Sequence, residues 1–146
     1  MSTVRDILKS KGNEIFSIPP SSAVLDALQV MAEKGCGAIL IVQDEQILGI
    51  FSERDYARRV VLQGKTERAK ITDVMTKDIF YVSPKQTADE CMAQMTDKHI
   101  RHLPVVDEGK LVGVISIGDL VKTVISQQQD LIHSLENYIT GKDYNR

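Results

Sequence analysis

An α+β fold, made of two tandem β-α-β-β-α units and a C-terminal helix, is what this 146-residue sequence predicts. Three observations carry the expectation. The sequence superposes on itself at an offset of 64, so that residues 36–61 fall on 100–125 without a gap. Each copy holds two apolar runs joined by a polar turn, "AILIV-QDEQ-ILGIF" and "LPVV-DEGK-LVGVI", the pattern of strands in a hairpin. Each hairpin ends in Gly-h-h-Ser-x-x-Asp (h apolar), at 49–55 and 113–119, where the pattern passes from strand to helix.

The elements follow in order within each copy. "VRDIL" (4–8) resembles "ITDVM" (71–75) at an offset of 67, so the first copy carries three extra residues around Lys9–Glu14. A short strand comes next, "IFSI" (15–18) or "IFYV" (79–82), stopped by Pro20 or Pro84. An amphipathic helix follows, with Ala23, Leu28 and Met31 in the first copy and Cys91, Met92 and Met95 in the second near helical spacing. The hairpin is third, and a second helix begins at Ser52 or Ser116. A unit of about 60 residues is small to stand alone, so the two copies are expected to pack together. The expected domains are residues 1–65, residues 66–126 and a helical extension, 127–146. In that extension Leu131, Ile132, Leu135, Tyr138 and Ile139 keep a helical period and prolong the second helix of the second copy. Gly141 suits its C-terminal cap.

Composition bounds the function. Hydrophobic residues make up 42% and charged residues 26%, as in globular proteins. The formal charge of -2 leaves no electrostatic footprint for nucleic acid or an anionic membrane. No apolar run reaches the roughly 18 residues of a membrane span, and the first residues lack the apolar core of a signal peptide. A cytoplasmic protein is expected. Cys36 and Cys91 are too few for a disulfide framework and read as small core residues. His99, His102 and His133 form no metal-ligand spacing with them, so no metal is expected. Ser52 has an acid nearby but no histidine partner, which is no nucleophile arrangement. "GCGAIL" (35–40) enters a strand, where a dinucleotide fingerprint needs strand, glycine turn and helix. Neither catalysis nor a catalytic cofactor is expected.

The Ser-x-x-Asp pairs admit two readings. Each is a capping box, in which the Ser oxygen takes a first-turn amide and the acid reaches back to the cap amide. Thr3-Asp6, Thr87-Glu90 and Thr140-Asp143 match the same pattern. Each also marks a helix N-terminus, whose partial positive charge and amides suit a phosphate. There the Ser hydroxyl can donate to phosphate, the acid can accept both hydroxyls of a ribose, and Gly49 or Gly113 would let a flat base lie close to backbone. The copies differ in charge: Arg54 and Arg58 stand where the second copy has Gly118 and Lys122, and Arg101 and His102 replace Gly37 and Ala38. Arginine's planar fork suits phosphate. The bland reading of Arg58 and Arg59 is a solvated helix face.

The doubled unit with this box ending its last strand resembles the CBS domain, two of which form a Bateman module. The resemblance covers about residues 4–126 and is carried by "ALQVMAEKG" (27–35) and, above all, by "IRHLPVVDEGKLVGVISIGDLV" (100–121). It implies two repeats packed with pseudo-two-fold symmetry and a cleft between them that takes an adenosine-containing ligand such as AMP, ADP, ATP, S-adenosylmethionine or NAD. Carried onto this sequence, Asp55 and Asp119 hold ribose hydroxyls, and Ser52 and Ser116 reach phosphate or ribose. Adenine contacts backbone near Ala38 in one site. In the other it meets Ile79, Tyr81 and Val82 together with His102, Leu103 and Pro104. Arg54, Arg58 and Arg101 are the candidate phosphate cations. The resemblance also implies a homodimer, with a protein target as its output. A module for assembly or partner docking, its boxes serving only as caps, is the alternative.

Overall fold

The computed structural model describes residues 2–140. Gly141 and the Thr140-Asp143 pair, expected to cap the last helix, lie outside them or depend on a residue that does. In chain order the elements are α1 (Val4–Lys11), β1 (Ser17–Ile18), α2 (Val24–Lys34), β2 (Ala38–Gln43), β3 (Gln46–Ser52) and α3 (Glu53–Asp55). A π-helical stretch (Tyr56–Val61) follows, then α4 (Ile71–Val74), α5 (Ala88–Lys98), β4 (His102–Asp107), β5 (Lys110–Ser116) and α6 (Ile117–Thr140). They form two compact units: Glu14–Tyr81 with Glu108–Val112, and residues 2–13, 82–107 and 113–140.

In the first unit β1 runs parallel to β2 (Ile18 opposite Ile41), and β2 antiparallel to β3 with Ala38 opposite Ser52. The hairpin turns on Asp44 and Glu45, both at positive φ (51° and 66°), the backbone of the tight turn that matches strand twist. Ile39 and Ile41 alternate onto the face covered by Val24, Ala27 and Met31 of α2, with Phe51 and Val60 completing the core. Burying each such Val, Ile, Met or Phe side chain stabilises by about 1.5–3 kcal/mol. The core stripe of α2 is Val24, Ala27 and Met31; Ala23, expected in it, is the N-cap, and Leu28 is only half-buried.

The second copy repeats the plan with fewer ladder bonds. β4 and β5 pair as a two-stranded sheet, turning on Glu108 and Gly109 at positive φ. The expected strand "IFYV" reduces to one bridge, Val82 with Val105, in the place of Ile18 with Ile41. Val82 engages both neighbours' backbone, its amide donating to Pro104 and its carbonyl accepting from Val106. Pro84 lacks an amide to continue the ladder. α5 buries Ala88, Cys91 and Met95, with Met92 half-buried. Burial is the main influence on the Cys91 thiol, and with the nearby Glu90 it pushes that thiol up to about 11, so the thiolate is disfavoured at neutral pH. α6 is a single 24-residue helix, as the period predicts.

The short helices exchange partners. The Val24 amide donates to the Ala69 carbonyl (2.9 Å) and the Ile71 amide to Ser22 (3.0 Å), which docks the start of α4 on α2. The same two bonds recur between Ala88 and Ser2 (2.9 Å) and between Val4 and Gln86 (2.8 Å), which docks α1 on α5. "ITDVM" therefore packs with the first copy's core and "VRDIL" with the second copy's. The linear boundaries at 65/66 and 126/127 follow the written repeat; the compact units follow this exchange.

Candidate functional site

Both Ser-x-x-Asp segments are closed capping boxes. In the first unit the Ser52 amide donates to Asp55 Oδ2 (3.0 Å), the Ser52 hydroxyl donates to the same oxygen (3.1 Å), and the Asp55 amide donates back to Ser52 Oγ (3.2 Å). In the second unit the Ser116 amide donates to Asp119 Oδ2 (2.8 Å) and the Asp119 amide to Ser116 Oγ (3.2 Å). The first helical amide of each is also taken: Glu53 donates to the Gly37 carbonyl (3.1 Å) and Ile117 to the Arg101 carbonyl (2.9 Å). The cap amide and the first and third helical amides of each helix are thus engaged within the protein. Thr3-Asp6 and Thr87-Glu90 are capping boxes as well.

Beyond the box the two carboxylates part. Asp55 Oδ1 accepts from the Thr76 hydroxyl (3.0 Å), and Arg59 Nε approaches it at 3.6 Å while Arg59 Nη1 donates to the Met75 carbonyl (3.0 Å). Asp119 Oδ2 accepts from Lys11 Nζ (2.7 Å), which also donates to the Val114 carbonyl (2.8 Å). Burial is the largest influence on Asp119 and pushes its carboxyl up. The Lys11 hydrogen bond, the Ser116 amide, the Lys11 charge and the Ser116 hydroxyl together outweigh burial and hold it below the usual carboxylate range. Thr76, Arg59 and Lys11 were missed as site residues. Arg59 read as a solvated face, and Lys11 lies among the residues that break the repeat, 108 positions from its partner.

The glycines of the motif serve packing, which corrects the expectation that they make room for a flat base. A Cβ on Gly49 would collide with the Met75 thioether, and one on Gly113 would lie 2.7 Å from a methyl of Leu8. Met75 and Leu8 are equivalent in the exchanged helices and are themselves buried, so each fills the hollow its partner glycine leaves.

The other candidates are placed as follows. Ala38 opens β2 opposite Ser52. Arg54 is half-buried and Arg58 exposed, in a helix that widens from Tyr56 on, its Leu62 amide reaching the Ala57 carbonyl five residues back. Such widened turns occur often at functional sites. Ile79 is half-buried and Tyr81 exposed, both in the first unit. Val82 is joined to Pro104 in the second. Arg101 is exposed and His102 half-buried at the head of β4, whereas the Leu103 and Pro104 side chains are buried. Those two can present only backbone to a ligand.

Fold and site together define a tandem-repeat module whose two like helix starts each carry a serine and a carboxylate. The family model for the CBS domain matches residues 4–62 and 71–126, and the chain belongs to that family. The Arabidopsis thaliana "CBS domain-containing protein CBSX3, mitochondrial" is 32% identical over 149 residues, covering 95% of this chain and 72% of that protein. A Burkholderia ambifaria protein with CBS domains superposes with a TM-score of 0.83 at 50% identity, covering 87% of this chain and 96% of that one. The CBS domain pair of protein MJ0100, in complex with 5-methylthioadenosine and S-adenosyl-L-methionine, shares the fold (TM-score 0.77, 19% identity, 87% of this chain and 98% of that one).

Proposed function

We propose that this chain is a regulatory module that binds an adenine nucleotide (AMP, ADP, ATP or NAD), performs no chemistry of its own and works as a homodimer. The observation that carries the reading is the duplicated box: in each copy a serine and a carboxylate are held at a helix N-terminus by the same two amide bonds. Asp55 and Asp119 accept the ribose hydroxyls, and Ser52 and Ser116 reach phosphate or ribose. Ala38 borders the base in one site, Ile79, Tyr81, Val82 and His102–Pro104 border it in the other, and Arg54, Arg58 and Arg101 supply phosphate cations. The adenosyl ligands of protein MJ0100 support the ligand class through a shared fold. The engagement of each serine and carboxylate with the other's backbone amide favours the alternative, an assembly or docking module.

Calorimetry and melting with AMP, ADP, ATP, NAD and GMP decide between them. At about 100 times its dissociation constant an adenine ligand should add roughly 2.7 kcal/mol and raise the midpoint by roughly 5–10 °C, with GMP much weaker. Asp55→Ala and Asp119→Ala should each weaken binding at their own site roughly 10- to 150-fold. No midpoint shift from any adenine compound, in protein freed of copurified nucleotide, would falsify the sensor reading and leave the assembly module.

A further inference from the structure

The distal half of α6 displays an apolar stripe that its own unit leaves open. Leu131, Ile132, Leu135, Tyr138 and Ile139 are 53–81% exposed, and Val121 and Ile125 are 42% and 52% exposed. The stripe repeats every seven residues. Its first column is Val121, Gln128, Leu135; its second Val124, Leu131, Tyr138; its third Ile125, Ile132, Ile139. A straight helix drifts only about 20° per seven residues, so over residues 121–139 these columns stay together on one face. Two of the columns have the spacing of the a and d positions of a coiled coil, and the third widens the face.

We propose that this face takes the same face of a second copy of the chain, parallel and in register. The proposal rests on the homodimer reading above and names its surface. Three features select a second copy. At the exposures found, the seven exposed apolar side chains present on the order of 700 Å², against about 800 Å² per partner in a standard stable interface and roughly 300–600 Å² for the largest patch of a typical monomer. The positions flanking the seam hold Ile125, Ile132 and Ile139 on one side and Gln127 and Ser134 on the other. Identical chains therefore bring no like charges together; Lys122, Asp130, His133 and Glu136 lie off it. The single polar residue in the first column, Gln128, meets its own counterpart only when the helices are parallel and in register, amide to amide. An antiparallel pair would set it against an apolar residue. A lone polar residue at such a position fixes register in this way.

Sedimentation equilibrium of the full chain with the double substitution Leu131→Glu and Leu135→Glu tests the surface. The wild type should be a dimer at micromolar concentration. The variant should dissociate about 100-fold or more readily and keep its circular dichroism, because both side chains are exposed. A wild type that is monomeric overturns the homodimer reading and the proposal with it. A variant that stays as dimeric as the wild type overturns the proposal alone. Register is tested by oxidation of Gln128→Cys beside His133→Cys, which lies on the outer face. Parallel pairing makes the first cross-link far faster, and equal rates overturn it.

Discussion

Asp55 and Asp119 occupy equivalent places in the two copies and accept the same amide of the same box, yet they answer to different neighbours. Asp55 is held by the neutral Thr76 hydroxyl, just past the exchanged helix α4, and, at longer range, by Arg59 four residues on. Asp119 is held by Lys11, brought in by a helix that begins the chain. A box is closed by residues within three positions of one another, and so it survives duplication unchanged. The third partner arrives through packing, and here duplication did not preserve it. Two carboxylates alike in their boxes thus differ in how they meet a cation, Lys11 at 2.7 Å from Asp119 and Arg59 at 3.6 Å from Asp55.

The comparison can be broken from either side. Thr76→Val keeps the shape but removes the donor to Asp55 Oδ1. The loss of a hydrogen bond to a charged group should cost about 1.5–3 kcal/mol in denaturant melts. It should leave Asp119 untouched; an equal perturbation at both carboxylates would show that the neighbourhoods are not separate. Gly113→Ala tests the exchanged helix behind Asp119. Overpacking against Leu8 should cost about 1–3 kcal/mol, and Leu8→Ala in the same chain should recover part of that loss. Strict additivity of the two would mean that Leu8 does not fill the hollow.

The smallest effect sharpens the contrast between the two ion pairs. Lys11→Met removes a partly exposed ion pair and should cost less than about 1 kcal/mol at neutral pH. The diagnostic is pH. The Asp119 carboxyl is depressed in the folded protein. Its contribution is therefore fully present above the unfolded value of about 3.9 and is lost as pH falls through the lower folded value. Lys11→Met should raise the Asp119 titration seen by carbon-detected NMR and flatten that part of the acid limb. An unmoved titration would assign the depression to the Ser116 bonds alone.

The repeat, the hairpins and the boxes were legible because their signals are local. Asp44-Glu45 and Glu108-Gly109 sit between apolar runs, and Ser-x-x-Asp spans one helical turn. Legibility failed where a residue's role depends on what is brought to it. "IFYV" reads as well as "IFSI" for a strand, but it forms one bridge, Val82 with Val105. Gly49 and Gly113 read as space for a base because the side chains that occupy that space, Met75 and Leu8, come from other elements.

By itself, then, the sequence determined a duplicated β-α-β-β-α plan, its two hairpin turns, four capping boxes and the heptad stripe of α6. All of these are set by contacts or periods within a few residues along one backbone. Only the tertiary structure decided that α1 docks on α5 and α4 on α2, that the motif glycines admit Leu8 and Met75, and that Lys11 neutralises Asp119. Those pairings join surfaces distant in the chain, chosen by how completely they bury apolar side chains and meet backbone donors. Neither the spacing nor the composition of a single segment encodes that choice.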